Sequence, residues 1–144
     1  MTFSRYSGWI IRRFVGKTKI FYVVDDDVDD QQFLIEALSG NDQSILCFTA
    51  SNGQEAITYL NGAGVSLPDV IFLDLNMPRL NGKQCLAELK RTPSLQHIPI
   101  IIYSTTSDKK EILDTMQMGA AYFLTKRSNF KELKVELSSI SFLA

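Results

Sequence analysis

From Lys19 onward the chain alternates short apolar runs with longer stretches in which apolar positions recur at helical spacing. Lys19 to Val24 (KIFYVV) is β-branched and aromatic and stops abruptly at acids, which predicts a buried strand. Asp27 to Leu38 then carries Phe33, Leu34, Ala37 and Leu38 on one helical face, with Gly40 as a stop. Ser44 to Thr49 (SILCFT) predicts a second strand. Gly53 to Leu60, with Ala56, Ile57 and Leu60 aligned, predicts a second helix that ends at Asn61-Gly62, and Val70 to Asp74 a third strand. Asn76 to Asn81 (NMPRLN) reads as a loop by its Pro and Asn content. Gly82 to Arg91 then places Cys85, Leu86 and Leu89 on one helical face before Pro93 forbids continuation. Pro99 to Tyr103 (PIIIY) predicts a fourth strand. Asp108 and Glu111 have capping-box spacing ahead of a fourth helix, whose apolar face is Ile112, Leu113 and Met116 and which Gly119 closes. Tyr122 to Thr125 and Asn129 to about Ile140 complete the pattern as a fifth strand and helix.

Five strand-helix units whose strands are apolar nearly throughout predict an α/β fold: a single doubly wound, five-stranded parallel sheet with helices on both faces. A length of 144 residues allows one domain. The expected division is a basic, poorly ordered extension over residues 1–17 followed by the domain at 18–144, with no output domain attached.

Charge sharpens this picture. The formal net charge is only −1, but residues 1–24 hold five cations (Arg5, Arg12, Arg13, Lys17, Lys19) and no acid, which leaves residues 25–144 at −6. An acidic body without a basic stripe argues against direct nucleic-acid binding. No apolar stretch approaches the roughly 20 residues of a membrane span, and the N-terminal arm lacks the continuous apolar core of a signal peptide. Cys47 and Cys85 lie within apolar segments, 38 residues apart, without metal or redox spacing, and read as reduced thiols in a cytoplasmic protein.

Ligands of open α/β sheets bind beyond the carboxyl ends of the strands. Here the first strand ends in Asp25, Asp26 and Asp27, the third in Asp74, the fourth in Ser104 and Thr105, and the fifth in Lys126. If the strand order is 2-1-3-4-5, the acids of the first and third strands lie side by side. Two carboxylates about 4 Å apart repel by roughly 4 kcal/mol at an effective dielectric of 20, so the cluster requires a cation. Hard oxygen ligands favour Mg²⁺, which takes only one or two carboxylates and leaves an aspartate free to react. Asp74 is the candidate nucleophile toward a phosphoryl group, Lys126 the charge that stabilises it, and Ser104 a hydrogen-bond donor. Asp27, Asp29 and Asp30 read instead as helix-capping and first-turn acids, His97 as a surface loop residue, and Met116 and Met118 as gap filling.

Val23 to Asp27, Val70 to Pro78 with Asn81-Gly82, Pro99 to Ser104, and Gly119-Ala120 to Lys126 together resemble the receiver domain of two-component response regulators over residues 18–142. The resemblance implies the flavodoxin-like strand order 2-1-3-4-5, with Asp74 as the phosphorylated residue. It implies that Asp25, Asp26, Asp74 and the main-chain carbonyl of Asn76 hold Mg²⁺, that Asp74, Ser104 and Lys126 carry the chemistry, and that Ser104 and Phe123 are the switch. Asn76 and Thr106 fall where receivers tune the lifetime of the phosphoryl group. The implied donor is a histidine kinase or histidine phosphotransfer protein, the output an unidentified downstream protein, and a homodimer is left open. Such a chain is no enzyme beyond its own phosphorylation and dephosphorylation. One departure stands out: Arg127 occupies the place after the lysine where receivers usually carry Pro. Two other readings remain: a receiver-shaped interaction module that never carries phosphate, and a small aspartyl phosphatase of the haloacid dehalogenase type, which wants a second acid where Asn76 stands.

Overall fold

The computed structural model of the chain describes residues 18–40, 44–140 and 143, so the expected extension at residues 1–17 lies outside the described residues. Five strands, β1 (Lys19–Val24), β2 (Ile45–Ala50), β3 (Val70–Leu73), β4 (Ile100–Ser104) and β5 (Tyr122–Thr125), form one parallel sheet in the order β2-β1-β3-β4-β5. Five helices follow them in turn: α1 (Val28–Ser39), α2 (Gly53–Leu60), α3 (Gly82–Arg91), α4 (Lys109–Gln117) and α5 (Phe130–Ser138). The predicted fold class and order hold, and each element lies within about two residues of its predicted bounds.

Strand alternation divides the core into two layers. Phe21, Val23, Val70, Phe72, Ile101 and Tyr103 face Leu34 and Ala37 of α1 and Leu133 and Leu137 of α5. Tyr22, Val24, Ile71, Leu73, Ile100 and Ile102 face Ala56 and Leu60 of α2 and Cys85, Leu86 and Leu89 of α3. Because both faces are covered, β1, β3 and β4 are apolar nearly throughout, apart from Lys19 at the start of β1 and Ser104 at the end of β4, which is why their sequences show a run rather than an alternation. At the sheet edge β2 is only half buried and leaves Phe48 open. Among the described residues, no helix is long and apolar enough to cross a membrane.

Helix ends follow local chemistry. Asp27 caps α1, its side chain accepting from the N–H groups of Asp29 and Asp30, and Gly40 closes the helix at φ 49°, in the left-handed region that glycine reaches without strain. The capping box expected at Asp108 and Glu111 is not formed. Asp108 caps α4 by accepting from the Lys110 N–H, while Glu111 turns away to Lys83 of α3. The reciprocal box occurs instead on α3, between Asn81 and Gln84.

The expected apolar face of α4 is also corrected. Its buried residue is Thr115, whose hydroxyl donates back to the Glu111 and Ile112 carbonyls, whereas Leu113 and Met116 are 60% and 39% exposed. Helical spacing gives the relative angle between side chains but not which side meets the sheet. Met118 packs against the core as gap filling, whereas Met116 does not.

Gly82 shows what the fold demands where β3 turns into α3. A Cβ at this position lies 2.2 Å from the Asp74 carbonyl oxygen and 2.5 Å from the Leu75 Cα, both backbone atoms that cannot swing aside. An exposed helical Gly→Ala change stabilises by about 1 kcal/mol. Gly82→Ala is expected to do the reverse, lowering the urea-unfolding free energy by about 2–4 kcal/mol through displacement of backbone. A stability equal to or above that of the parent protein contradicts this close approach.

Candidate functional site

In a parallel sheet every strand delivers its last residue to the same edge. Val24 pairs with Leu73, so the residues that follow, Asp25 and Asp74, emerge as neighbours. The ladder runs one step past each strand: the Asp74 N–H donates to the Val24 carbonyl (2.9 Å), the Asp25 N–H to Ala50 (3.0 Å) and the Lys126 N–H to Ser104 (2.7 Å). Backbone bonding therefore continues to the residues that carry the charge. Gln31, buried in α1, donates to the Asp25 carbonyl (2.6 Å), and the Asp27 N–H donates to the Asp25 carboxylate (3.0 Å), which fixes the loop from β1 to α1 from within.

The structure brings together Asp25, Asp26, Asp74 and Lys126. One carboxylate oxygen from each of Asp25, Asp26 and Asp74 lies within 4.8 Å of the others. Lys126 Nζ lies 2.9 Å from Asp25 Oδ2, 3.6 Å from Asp74 Oδ1 and 2.8 Å from Asp30 Oδ2, and 5.4 Å from the centre of the Tyr103 ring. Asp25 and Asp74 are buried and Asp26 is exposed, so the cluster opens toward solvent on one side. There, Asp26 and Asn76 line a cleft of about 470 Å³ together with Met77, Asn81, Lys83 and Glu111.

Burial and crowding set the protonation of these groups. The Asp74 carboxyl is pushed up to about 6, first by loss of water; the Lys126 ammonium opposes this, Asp25 and Asp26 add to it, and the Asn76 N–H opposes it. Asp25 is likewise raised by burial, against the pull of Lys126 and of the Asp27 N–H. For Lys126, burial works against the charge, but contacts with Asp30 and Asp25 outweigh it and hold the ammonium firmly protonated.

The donor set fits a hard divalent cation. Three carboxylates converge with one ammonium between them, and Asp25 Oδ2 is buried with no aligned hydrogen-bond donor, its contact with Lys126 being ionic. One ammonium shared by Asp25, Asp74 and Asp30 leaves a surplus of negative charge at this edge, which a divalent cation would offset.

Other expected positions take their places around this core. Ser104 is fully buried at the end of β4, its hydroxyl accepting from the Thr106 N–H at 3.3 Å, and Thr106 in turn accepts from the Asp108 N–H at 3.2 Å. Phe123, on β5, is half buried against the layer that holds α2 and α3. His97 is exposed, as expected of a loop residue. No cis peptide bond occurs among the described residues; Arg127 follows Lys126 through a trans bond and donates to Glu136 Oε1 of α5 at 3.0 Å, beside the Tyr122 hydroxyl, which donates to Glu136 Oε2 at 3.0 Å.

Sequence reasoning missed two members. Asp30, taken as a first-turn acid alone, also clamps Lys126 across 96 positions of sequence. Tyr103, taken as strand filling, lies under the same ammonium. A first-turn acid four residues beyond Asp26 projects from the start of α1 toward the same edge, which was the available signal for Asp30; nothing local marks Tyr103.

The sequence pattern of the response regulator receiver domain matches residues 21–138. The chain belongs to this family. It is a receiver of two-component signalling, similar to the response regulator Rcp1 of Synechocystis sp., with 28% identity over 119 residues that cover 80% of this chain and 81% of Rcp1. The Mn²⁺-bound form of Rcp1 superimposes with a TM-score of 0.76, covering 86% of this receiver and 94% of that chain at 26% identity. The phosphorylated cyanobacterial phytochrome response regulator RcpA superimposes with a TM-score of 0.78 at 31% identity, covering 86% of this receiver and 91% of that chain. A protein-glutamate methylesterase/protein-glutamine glutaminase of Clostridium acetobutylicum is 39% identical over 107 residues, but the match spans 72% of this receiver and only 29% of that enzyme.

A raised carboxyl pKa has a measurable consequence for the metal-free receiver. Between the ordinary carboxylate value and about 6, folded Asp74 holds a proton that the unfolded chain has released, so its ionised form costs stability above that window and the cost fades below it. Asp74→Asn is expected to raise the unfolding free energy by about 1–3 kcal/mol at pH 7.5, with the gain shrinking toward zero near pH 4. Urea midpoints of both proteins in chelator across this range check it; a gain that grows on acidification contradicts the assignment.

Proposed function

We propose that this receiver takes a phosphoryl group onto Asp74 with Mg²⁺ held by Asp25, Asp26, Asp74 and the main-chain carbonyl of Asn76. The observation that carries the reading is the convergence of three carboxylates, from Asp25, Asp26 and Asp74, on one edge, with Lys126 Nζ 2.9 Å from Asp25 Oδ2 and 3.6 Å from Asp74 Oδ1. The relatives support it: one similar structure is a Mn²⁺-bound response regulator and another a phosphorylated one.

In this reading an Asp74 oxygen forms a bond to phosphorus as the bond from phosphorus to a donor imidazole nitrogen breaks, and the imidazole leaves with the electron pair. When bound, Mg²⁺ draws charge from the phosphoryl oxygens and screens the acids from the incoming anion. Lys126 supplies a fixed ammonium to the transferred group, and its ties to Asp25 and Asp30 hold it at the edge before the donor arrives. The Ser104 hydroxyl donates to the phosphoryl group by leaving its contact with the Thr106 N–H. Phe123, half buried beside it on the sheet, follows, so that Ser104 and Phe123 act as the switch. The donor is a histidine kinase or a histidine phosphotransfer protein, and the output is altered binding of a downstream protein. A coupling of about 1–3 kcal/mol suffices for a 5–150-fold change in that affinity. The chain performs no catalysis on other substrates in this reading.

Incubation with acetyl phosphate and Mg²⁺, followed by intact-mass spectrometry, is expected to show one phosphoryl adduct that is absent from Asp74→Asn and at least about tenfold slower to form in Asp25→Asn or with chelator. An adduct that survives Asp74→Asn places the acceptor elsewhere. Absence of an adduct on the parent protein, together with no spectral change on adding beryllofluoride and Mg²⁺, favours the non-phosphorylated interaction module. Turnover of a small phosphate ester favours the phosphatase.

A further inference from the structure

The cleft beside Asp26 has a wall that the acceptor chemistry leaves unused. Lys83, near the start of α3, and Glu111, in the first turn of α4, line it opposite Asp26 and Asn76. Lys83 Nζ lies 2.5 Å from Glu111 Oε1 and 3.3 Å from Asp114 Oδ2, so one ammonium bridges the two helices at the cleft, and Lys110 holds Asp114 from the far side at 3.0 Å. Lys83, Glu111 and Asp114 are each about one-third exposed, with side-chain accessibilities of 35%, 34% and 32%. Lys83 and Glu111 are charges that an entering small molecule meets, and Asp114 stands behind them. The helix that carries the two acids is lightly anchored, burying Thr115 while Leu113 and Met116 stay open.

We propose that the Lys83–Glu111 pair forms a charge-neutralised entrance that decides which chemical class of phosphoryl donor reaches Asp74, an inference that rests on Asp74 being the acceptor. With the pair closed, the entrance offers no free cation, and a small donor must approach Asp26 and the acids behind it unaided. A doubly charged acyl phosphate is disfavoured most, because its approach depends on local potential alone. A phosphoryl group carried on the imidazole of a protein is brought in by the contacts of that protein instead and does not need the cation. Freed from its acids, Lys83 becomes an attracting charge at the mouth. The entrance thus insulates the receiver from small acyl phosphates while leaving the phosphohistidine route open.

Two small donors separate charge from access. Acetyl phosphate reacts as the Asp74 oxygen–phosphorus bond forms and the phosphorus–oxygen bond to acetate breaks, with acetate leaving with the electron pair and no proton moving. Phosphoramidate reacts by breaking its phosphorus–nitrogen bond, ammonia leaving with the three protons it carries in the zwitterion, and at pH 7 this donor bears one negative charge fewer. With the full chain and Mg²⁺, the combined substitution Glu111→Gln and Asp114→Asn is expected to speed adduct formation from subsaturating acetyl phosphate about three- to tenfold. The gain lowers the half-saturating concentration, leaves the maximal rate unchanged and collapses in high salt. Phosphoramidate changes by less than about twofold, because its approach responds less to the freed charge. Adding Lys83→Gln abolishes the gain, and Arg91→Gln, which removes a cation paired with Glu88 elsewhere on α3, has no effect. Equal acceleration of both donors, or a gain that persists without Lys83, means that a loosened α4 merely opened the cleft and overturns the proposal. Unchanged rates with a normal adduct overturn it as well. No adduct on the parent protein overturns the acceptor reading and this inference together.

Discussion

Three carboxylates and one ammonium share the carboxyl edge of this sheet, and the rest of the structure serves to hold them there. Like charges at such separations cost several kcal/mol when water is scarce. Lys126 offsets part of that cost through contacts at 2.9 Å and 2.8 Å with Asp25 and Asp30 and a longer one with Asp74. It leaves the acids in excess of the one ammonium and Asp74 raised to about 6. The edge is therefore electrostatically unfinished. A divalent cation and a phosphoryl group would complete it, the former taking the surplus of acids and the latter the ammonium.

Such a site needs a rigid frame, and the frame is backbone. Ladder bonds continue past Leu73 to Asp74, past Val24 to Asp25 and past Thr125 to Lys126, so each charged residue inherits the order of the strand it follows. Gly82 lets α3 approach the Asp74 carbonyl more closely than any other residue type allows. Gln31, buried in α1, anchors the loop that carries Asp25. Arg127 ties the loop after Lys126 to Glu136 of α5 through an exposed ion pair, a softer restraint on the lysine than a backbone bond.

Mobility is allotted differently. Helix α2 buries the side chains of Ala56 and Leu60 and α3 those of Cys85, Leu86 and Leu89, while α4 buries that of Thr115. An element held by few apolar contacts and a handful of half-exposed ion pairs shifts at low cost. In this receiver that element begins five residues after Ser104, and its Glu111 lines the cleft. The proposed entrance is built from this same helix.

Sequence alone determined the order of elements, the class of sheet and the residue at the end of each strand, because apolar runs of strand length between amphipathic segments admit few other folds. It also supplied the candidates for binding a cation or reacting, since candidacy is a matter of side-chain type. Tertiary structure decided the rest. That Asp30 meets Lys126, that Tyr103 lies beneath it, that Glu111 abandons its own helix cap for Lys83, and that α4 turns Thr115 rather than Leu113 inward are all contacts across distant parts of the chain. Local propensity sets the period of a helix and the spacing of its caps; the rotation of that helix on the sheet, and the partner each charge finds, follow from packing among all elements at once.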